Sequence, residues 1–398
     1  MLNRSTMRRP RLMFVINSLG SGGAERVLDN LLRTMGERAH RYDVVLTLLD
    51  EEPDMRVLPT VTERHCLRAQ GGLVRSIVRL RRLVKYQRPD LVVSFLVRSN
   101  ISTALLPQGR ARILCERMHL SSHLAGRYSG AKLALLRRLP RWFYSRADTV
   151  LTVSEGVRHD LIAQFGLPPS LVRTINNPFD LARIIEESAR SPSVSLPTHF
   201  CVAVGRLVAA KGFDQLITAY AEAKAPPALV ILGEGPQRAA LMRQISGLGL
   251  KDKVFLPGFV ADPFAVMGRA QFLVSASHNE GFPNAITEAM ALGRPVIATD
   301  CPSGPAELLG GHAPATGQIG MARYGMLVRD HDIAGLTAAI NLMADDAVRD
   351  RYSAAAALRA KDFALERIAA LYWAVFDALL EAETAAFRTA LSDLNRPI

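Results

Sequence analysis

Short, almost wholly apolar runs alternate along the chain with longer stretches whose apolar residues recur every three to four positions. The first run, Leu12 to Leu19, has the form of a strand buried on both faces. It leads through Gly20-Ser21-Gly22-Gly23 into a predicted helix with Ala24, Val27, Leu28, Leu31 and Leu32 on one side. Strands are then expected at 43–49, 91–96, 111–116 and 149–153, with helices at 72–86, 99–106 and 157–165 between them. The regular pattern breaks at Ile175-Asn176-Asn177-Pro178-Phe179-Asp180, where Asn-Pro favours a turn, and again at Ser191-Pro192-Ser193. It restarts with strands at 200–204, 229–232, 254–256, 272–276, 296–299 and 324–328, each followed by a loop and a helix. Such β/α alternation predicts an α/β protein with doubly wound parallel sheets.

With 398 residues the chain exceeds one ordinary core, so two domains are expected, at 1–185 and 186–365. A last helix, 366–398, shows Ile368, Leu371, Tyr372, Val375 and Leu379 at helical spacing, in continuation of Leu365.

The densest chemistry lies between Gln271 and Leu309. A strand ends in a polar turn holding Glu280, then Gly281-Phe282-Pro283-Asn284, and Glu288 follows one turn into a helix. Open α/β sheets bind ligands at the carboxyl ends of their strands. There the amides from Gly281 to Ala285 face outward at the positive end of a helix, a seat for phosphate. Carboxylates on either side cannot hold phosphate, but they accept hydrogen bonds from sugar hydroxyls. Taken singly, Glu280 reads more readily as an ordinary loop carboxylate and Glu288 as a dipole-favoured helix residue.

As a set, Glu280 and Glu288 with seven residues between them, Gly-Phe-Pro-Asn among these and Ala-Met-Ala after, resemble the signature of retaining glycosyltransferases of family 4. The resemblance implies a GT-B fold, two Rossmann-like domains facing a central cleft, the first binding acceptor and the second a nucleotide sugar. It is specific over 200–310 and rests on pattern alone over 1–180. It implies that Glu288 grips ribose hydroxyls and that Glu280 holds the donor sugar. Gly205-Arg206 and Lys211, following the strand at 200–204, match that family's diphosphate-clamping Arg and Lys, and two cations there suit a departing diphosphate. Gly233 and Gly235 are implied to approach the nucleotide, and Gly258-Phe259 its base. Gly22 and Gly23 are implied to lie against the diphosphate and acceptor. His119, just past the strand at 111–116, is expected to touch sugar or acceptor. Ser94, Phe95, Leu96, Arg98, Ser99 and Asn100 close another strand at the same edge and are weaker candidates for acceptor contact. The last helix is implied to return to the first domain.

Charge changes the picture of partners. The chain is +12, but residues 1–200 carry 31 Lys and Arg against 17 Asp and Glu, while 201–398 carry 18 against 20. Between Arg64 and Ala147 there are 18 basic residues and two acids, Asp90 and Glu116. Segments 77–86 and 135–144 interleave these cations with Leu, Val, Trp and Phe, a pattern suited to an anionic membrane surface. Nucleic acid is not expected, since no recognition motif accompanies the charge. The four cysteines are widely spaced and read as small core residues of a reducing cytosol, without a metal site. No apolar stretch is long enough to span a bilayer, and the basic start before Leu12 reads as a strand entry rather than a signal peptide.

The expected activity is transfer of a hexose or N-acetylhexosamine from a UDP-linked donor to an acceptor hydroxyl, with retention. The expected acceptor is a lipid-linked glycan at the inner face of the cytoplasmic membrane. No cofactor is expected, nor an obligatory metal, because no Asp-x-Asp stands near the site. A glycoside hydrolase would have no use for Arg206 and Lys211. A nucleotide-sugar epimerase, or transfer to a soluble acceptor, would explain the phosphate loops without the basic face.

Overall fold

Arg11–Ile16 extends because five of its six residues are fully enclosed and their backbone pairs on both sides, with 43–48 and with 91–94. The same logic builds two separate sheets. In the computed structural model, residues 8–20, 22–52 and 63–394 are described, with side chains described to residue 381. Ser21 of the first glycine turn lies outside the described residues.

The first unit comprises residues 1–153, 157–178 and 365–398. Its elements are β1 (Arg11–Ile16), α1 (Gly23–Arg33), α2 (Arg38–Arg41), β2 (Asp43–Leu48), β3 (Glu63–Cys66), α3 (Leu73–Gln87), β4 (Leu91–Phe95) and α4 (Val97–Ala104). There follow β5 (Ala111–Glu116), α5 (Leu120–Ala125), α6 (Gly130–Leu136), α7 (Leu139–Tyr144), β6 (Thr149–Thr152), α8 (Glu155–Ala163) and β7 (Val172–Thr174). The strands lie in the order β3-β2-β1-β4-β5-β6-β7, all parallel. The order reverses between β1 and β4, which makes that crevice the switch point of the sheet.

The second unit comprises 154–156 and 179–364. It contains α9 (Leu181–Ser188), β8 (Phe200–Val204), α10 (Phe213–Glu222), β9 (Ala228–Leu232), α11 (Arg238–Gly247), β10 (Val254–Gly258), α12 (Pro263–Met267) and β11 (Leu273–Ser275). Then come α13 (Asn284–Ala291), β12 (Val296–Asp300), α14 (Pro305–Leu309), β13 (Gly320–Met321), β14 (Met326–Arg329), α15 (Ile333–Met343) and α16 (Asp346–Ala360). The order is β10-β9-β8-β11-β12-β14-β13, parallel except for the β13–β14 pair, with the switch point between β8 and β11. An isolated parallel bridge between Phe179 and Ala364 ties the two ends of this unit together.

The boundary at Pro178–Phe179 falls inside the expected hinge, which runs from the Asn-Pro turn at 175–180 to 191–193, and ahead of the expected domain limit at 185/186. The reason is α9: its N-cap Asp180 accepts from Arg183 N–H, and its length packs on α12 and α13 of the second unit. The linker-like Ser191-Pro192-Ser193 is likewise held, Ser193 bonding Asp262 through both its amide and its hydroxyl.

The final helix, α17 (Leu365–Leu394), packs on α1, β4 and β5 of the first unit. Its buried face is Leu365, Ile368, Ala369, Tyr372, Trp373, Phe376 and Leu380. Leu371, expected in the core, is half-exposed, because the face is turned to admit Trp373 and Phe376. Asp377 is fixed by Arg38 at 3.1 Å and by the Tyr42 hydroxyl at 2.7 Å. Burial together with that bond pushes the Tyr42 phenol up to about 12.

Cys115, Cys201 and Cys301 are buried, but Cys66 is exposed on β3 and is not the core residue expected. Among the described residues no helix is long and apolar enough to cross a membrane.

Candidate active site

The second unit gathers its expected residues at the carboxyl ends of β8, β9, β10 and β11. Lys211 closes a single helical turn after β8 and reaches Glu280 in the loop after β11, Nζ to Oε1 being 2.5 Å. The Lys211 stem lies along Gly205, where an added Cβ would sit 3.3 Å from Cδ and Cε. Gly212 is left-handed at φ 59°, and a Cβ there would come within 2.0 Å of Ala276 O, so only glycine lets this loop lie on the end of β11. Arg206 is exposed, and its guanidinium makes no hydrogen bond or ion pair to a described residue. It therefore stands as an uncommitted cation beside the Lys211 loop.

Three hydroxyls pin the carbonyls of the loop after β11. Thr299 Oγ1 donates to Ser277 O at 2.6 Å, Ser303 Oγ to Glu280 O at 2.5 Å and Ser154 Oγ to Gly281 O at 2.8 Å. With those carbonyls engaged, the N–H groups of Gly281 and Phe282 donate to no acceptor among the described residues. They precede α13, whose first amides carry the positive end of its dipole. Phe282 anchors the turn beneath, with ring centroids 6.2 Å from Phe179 and 5.4 Å from Phe363. Pro283 is the N-cap of α13 and Asn284 its first residue, while Glu288 is buried in the helix.

Gly233 follows β9 at φ 140°, and a Cβ there would meet Gly205 O at 1.9 Å, so the loops after β8 and β9 run back to back. Gly235 continues that loop against Leu207. Gly258 ends β10 and Phe259 beyond it is exposed. The arrangement offers two cations, free amides and carboxylates at one sheet edge, the requirements of a site for a diphosphate joined to polyols.

In the first unit Gly22 caps α1 and Gly23 opens it. His119 is the N-cap of α5, its Nδ1 2.8 Å from Ser122 Oγ and its Nε2 3.7 Å from Asp160 Oδ1. Burial pulls its pKa below the ordinary histidine value against the opposing pull of Asp160. Asp160 is itself buried; Oδ2 accepts from Ser121 N–H, and Oδ1 has no hydrogen-bond partner. Nearby, Glu116 is buried against the Tyr144 hydroxyl, and burial raises its pKa.

Two weaker candidates prove structural. Ser94 donates to Asn100 Oδ1 at 2.8 Å, and Asn100 Nδ2 donates to Cys115 O at 3.0 Å, so both are interior clamps between β4, α4 and β5. Phe95 is wholly buried, with the Arg117 guanidinium 5.0 Å from its ring centroid. Leu96 takes the strained φ of 75° between them and Arg98, which pairs with Asp50 at 2.6 Å, and Ser99 donates to Asn17 at 2.9 Å.

The sequence reading missed Ser154, Thr299 and Ser303, which carry no pattern of their own. A hydroxyl after a strand end, as at Val153-Ser154 and in Cys301-Pro302-Ser303, is the one signal that marks the two serines.

Known proteins match both halves. The family model described as Glycosyltransferase Family 4 matches residues 21–183, and that described as Glycosyl transferases group 1 matches residues 198–346. A Campylobacter jejuni relative is 29% identical over 378 residues, covering 90% of this chain and 97% of its own. It is named N-acetylgalactosamine-N,N'-diacetylbacillosaminyl-diphospho-undecaprenol 4-alpha-N-acetylgalactosaminyltransferase. The lipopolysaccharide core biosynthesis glycosyltransferase LpsD of Rhizobium meliloti is 24% identical, over 84% of this chain and 88% of its own. Among solved structures, Anabaena HepE in complex with UDP superimposes with a TM-score of 0.72 at 20% identity, over 92% of this chain and all of that one. Sucrose-phosphate synthase from Thermosynechococcus elongatus gives 0.76 at 19%, over 94% and 100%. The two matched segments together span most of the chain and meet the two Rossmann-like units, and the chain accordingly belongs to the group 1, family 4 glycosyltransferases, hexosyltransferases of GT-B fold that act on nucleotide sugars.

Proposed function

We propose that this enzyme moves a hexose or N-acetylhexosamine from a UDP-sugar to a hydroxyl of a lipid-linked glycan, with retention, at an anionic membrane surface. The observation that carries the reading is the Lys211–Glu280 pair beside the free amides of Gly281 and Phe282. In this reading Lys211, Arg206 and those amides stabilise charge building on the departing diphosphate. Glu280 accepts from donor-sugar hydroxyls and Glu288 from the ribose, which holds the anomeric carbon in line. Gly233, Gly235, Gly258 and Phe259 line the nucleotide side. The anomeric C–O bond to the diphosphate breaks while the acceptor oxygen bonds on the same face, its proton passing to the departing phosphate oxygen. His119, held by Ser122 and Asp160, orients the acceptor or sugar, with Gly22 and Gly23 at the acceptor side.

Support for uridine comes from HepE, described in complex with UDP and glucose, and for the lipid-linked acceptor from the undecaprenol-linked substrate named for the Campylobacter relative. Support for the membrane comes from two exposed segments that both pack on α4. On α3, Val74 (73% exposed), Val78 and Tyr86 (81%) face outward with Arg82 and Lys85. On α6 and α7, Leu135, Leu139 and Trp142 do so with Arg137, Arg138 and Arg141. The rest of each basic segment is structural: Leu80 and Val84 are core, and Arg79 and Arg81 donate to the carbonyls of Leu67, Arg68 and Leu105.

Thermal shift across UDP-, GDP- and ADP-sugars tests the donor side. A UDP-sugar should raise Tm, and Glu288→Ala should abolish the rise; a folded variant stabilised as well as the parent removes Glu288 from the site. Product analysis with polyprenyl-diphosphate glycans and with free oligosaccharides tests the acceptor. Equal turnover of the free oligosaccharide would move the assignment to a soluble acceptor.

A further inference from the structure

Apart from the diphosphate seat, the loop after β11 meets the turn after β14 through three metal-ligating side chains. His278 Nδ1 is 2.6 Å from Asp330 Oδ1, and His331 Nε2 is 3.7 Å from Asp330 Oδ2. The two imidazoles stack with centroids 4.1 Å apart and planes 15° from parallel. One ligand atom from each residue lies within 4.8 Å of the other two. His331 holds a left-handed backbone at φ 61°, its N–H donating to Asp330 Oδ1 at 2.9 Å, so the turn keeps both groups on one side.

A simple ion pair accounts for His278 and Asp330 but not for the second imidazole stacked on the first. Each imidazole offers a ring nitrogen and Asp330 a carboxylate oxygen, so three potential ligand atoms share one small volume. The second layer fits as well. Gln215 Nε2 is 2.7 Å from His331 Nδ1, and with its amide turned over the Gln215 oxygen accepts from Nδ1–H, leaving Nε2 to ligate.

We propose that His278, Asp330 and His331 bind a divalent transition-metal ion, zinc in the first instance. Two imidazole nitrogens and one carboxylate oxygen are ordinary zinc donors, with the fourth position left to water. Bonds of about 2.0–2.2 Å require donor atoms roughly 3.3 Å apart, which rotation of the exposed His331 ring supplies. Magnesium and calcium prefer oxygen donors and are disfavoured here. Because the His278 amide also donates to Ala210 O at 2.9 Å, the ion ties the β14–α15 turn to the loops that carry Lys211 and Glu280. It takes no part in the transfer chemistry.

The test uses tag-free full-length protein carrying Cys66→Ser, which removes the exposed thiol, stripped with chelator and dialysed. Calorimetry with zinc chloride should show one equivalent bound, and cobalt(II) should give the visible bands of a four-coordinate ion. His331→Ala, at an exposed position, and Asp330→Asn should each weaken zinc binding at least about tenfold, as removal of a ligand does when loss of an outer partner alone costs 10–100-fold. Magnesium should give no heat. No stoichiometric zinc in the parent, or a folded His331→Ala that binds as tightly, would overturn the proposal and leave the three side chains as a hydrogen-bonded clasp.

Discussion

Lys211 Nζ and Glu280 Oε1 lie 2.5 Å apart across residues separated by 69 positions in sequence. The cation assigned to the leaving group is thus parked on the carboxylate assigned to the sugar, and donor binding must share or replace that contact. Charge-assisted hydrogen bonds contribute about 1.5–3 kcal/mol each. Lys211→Ala should therefore lower kcat/KM roughly 10- to 150-fold. Glu280→Gln should do the same, and the double variant should lose less than the product of the two. Strictly multiplicative losses would mean that the two residues act independently.

His119 supplies a pH signature. Its folded pKa is lowered by burial, so between that value and the ordinary 6.5 the unfolded chain holds more protons. Stability then falls as pH drops through 6.5, and the penalty is complete below the folded pKa. His119→Gln should be less acid-sensitive than the parent over that window in thermal scans. Asp160→Asn removes the carboxylate that opposes burial and should shift the His119 ring titration, followed by NMR, further down.

The outward face of α3 and α7 predicts reversible flotation with anionic liposomes. Each basic residue near such a surface is worth about 1 kcal/mol, so reversing Arg82 and Lys85 to Glu should weaken binding by roughly 25-fold or more. Trp142→Ser should weaken it with no change in the charge. Equal failure to float with neutral and anionic lipid would dismiss the membrane surface as a partner.

Trp373 is almost wholly buried among α1, β4 and β5 side chains, with its indole N–H donating to Thr34 Oγ1 at 3.2 Å. Trp373→Ala should cost about 3–5 kcal/mol in urea unfolding, in the range for large aromatic truncations. Leu371→Ala, two residues away and half-exposed, should cost far less.

What the sequence discloses depends on how a residue is buried. The buried parallel strands were legible, Phe200–Val204 and Ala111–Glu116 to the residue, because strands covered on both faces read as unbroken apolar runs. Glu63–Cys66 was not, since an edge strand with a single neighbour, β2, shows no such run. The basic stretch 135–144, singled out for its interleaved cations, runs from the end of α6 into α7, with Pro140 in the first turn of the latter. Within the site, Arg206, Lys211, Glu280 and Glu288 stood out by spacing. Ser303 and Thr299 hold the same loop through single hydroxyls, and His278 meets Asp330 only through the fold, 52 residues on.

The placement of α17 sets an order on synthesis. The last helix fills the core of the first unit, so that core stays unfinished while the uninterrupted span from Phe179 to Ala364 leaves the ribosome. The second unit can close on itself as it emerges, whereas the first waits with an apolar trough bare until α17 is translated. Nascent chains halted before residue 365 should recruit hydrophobic-binding chaperones, and full-length release should dismiss them.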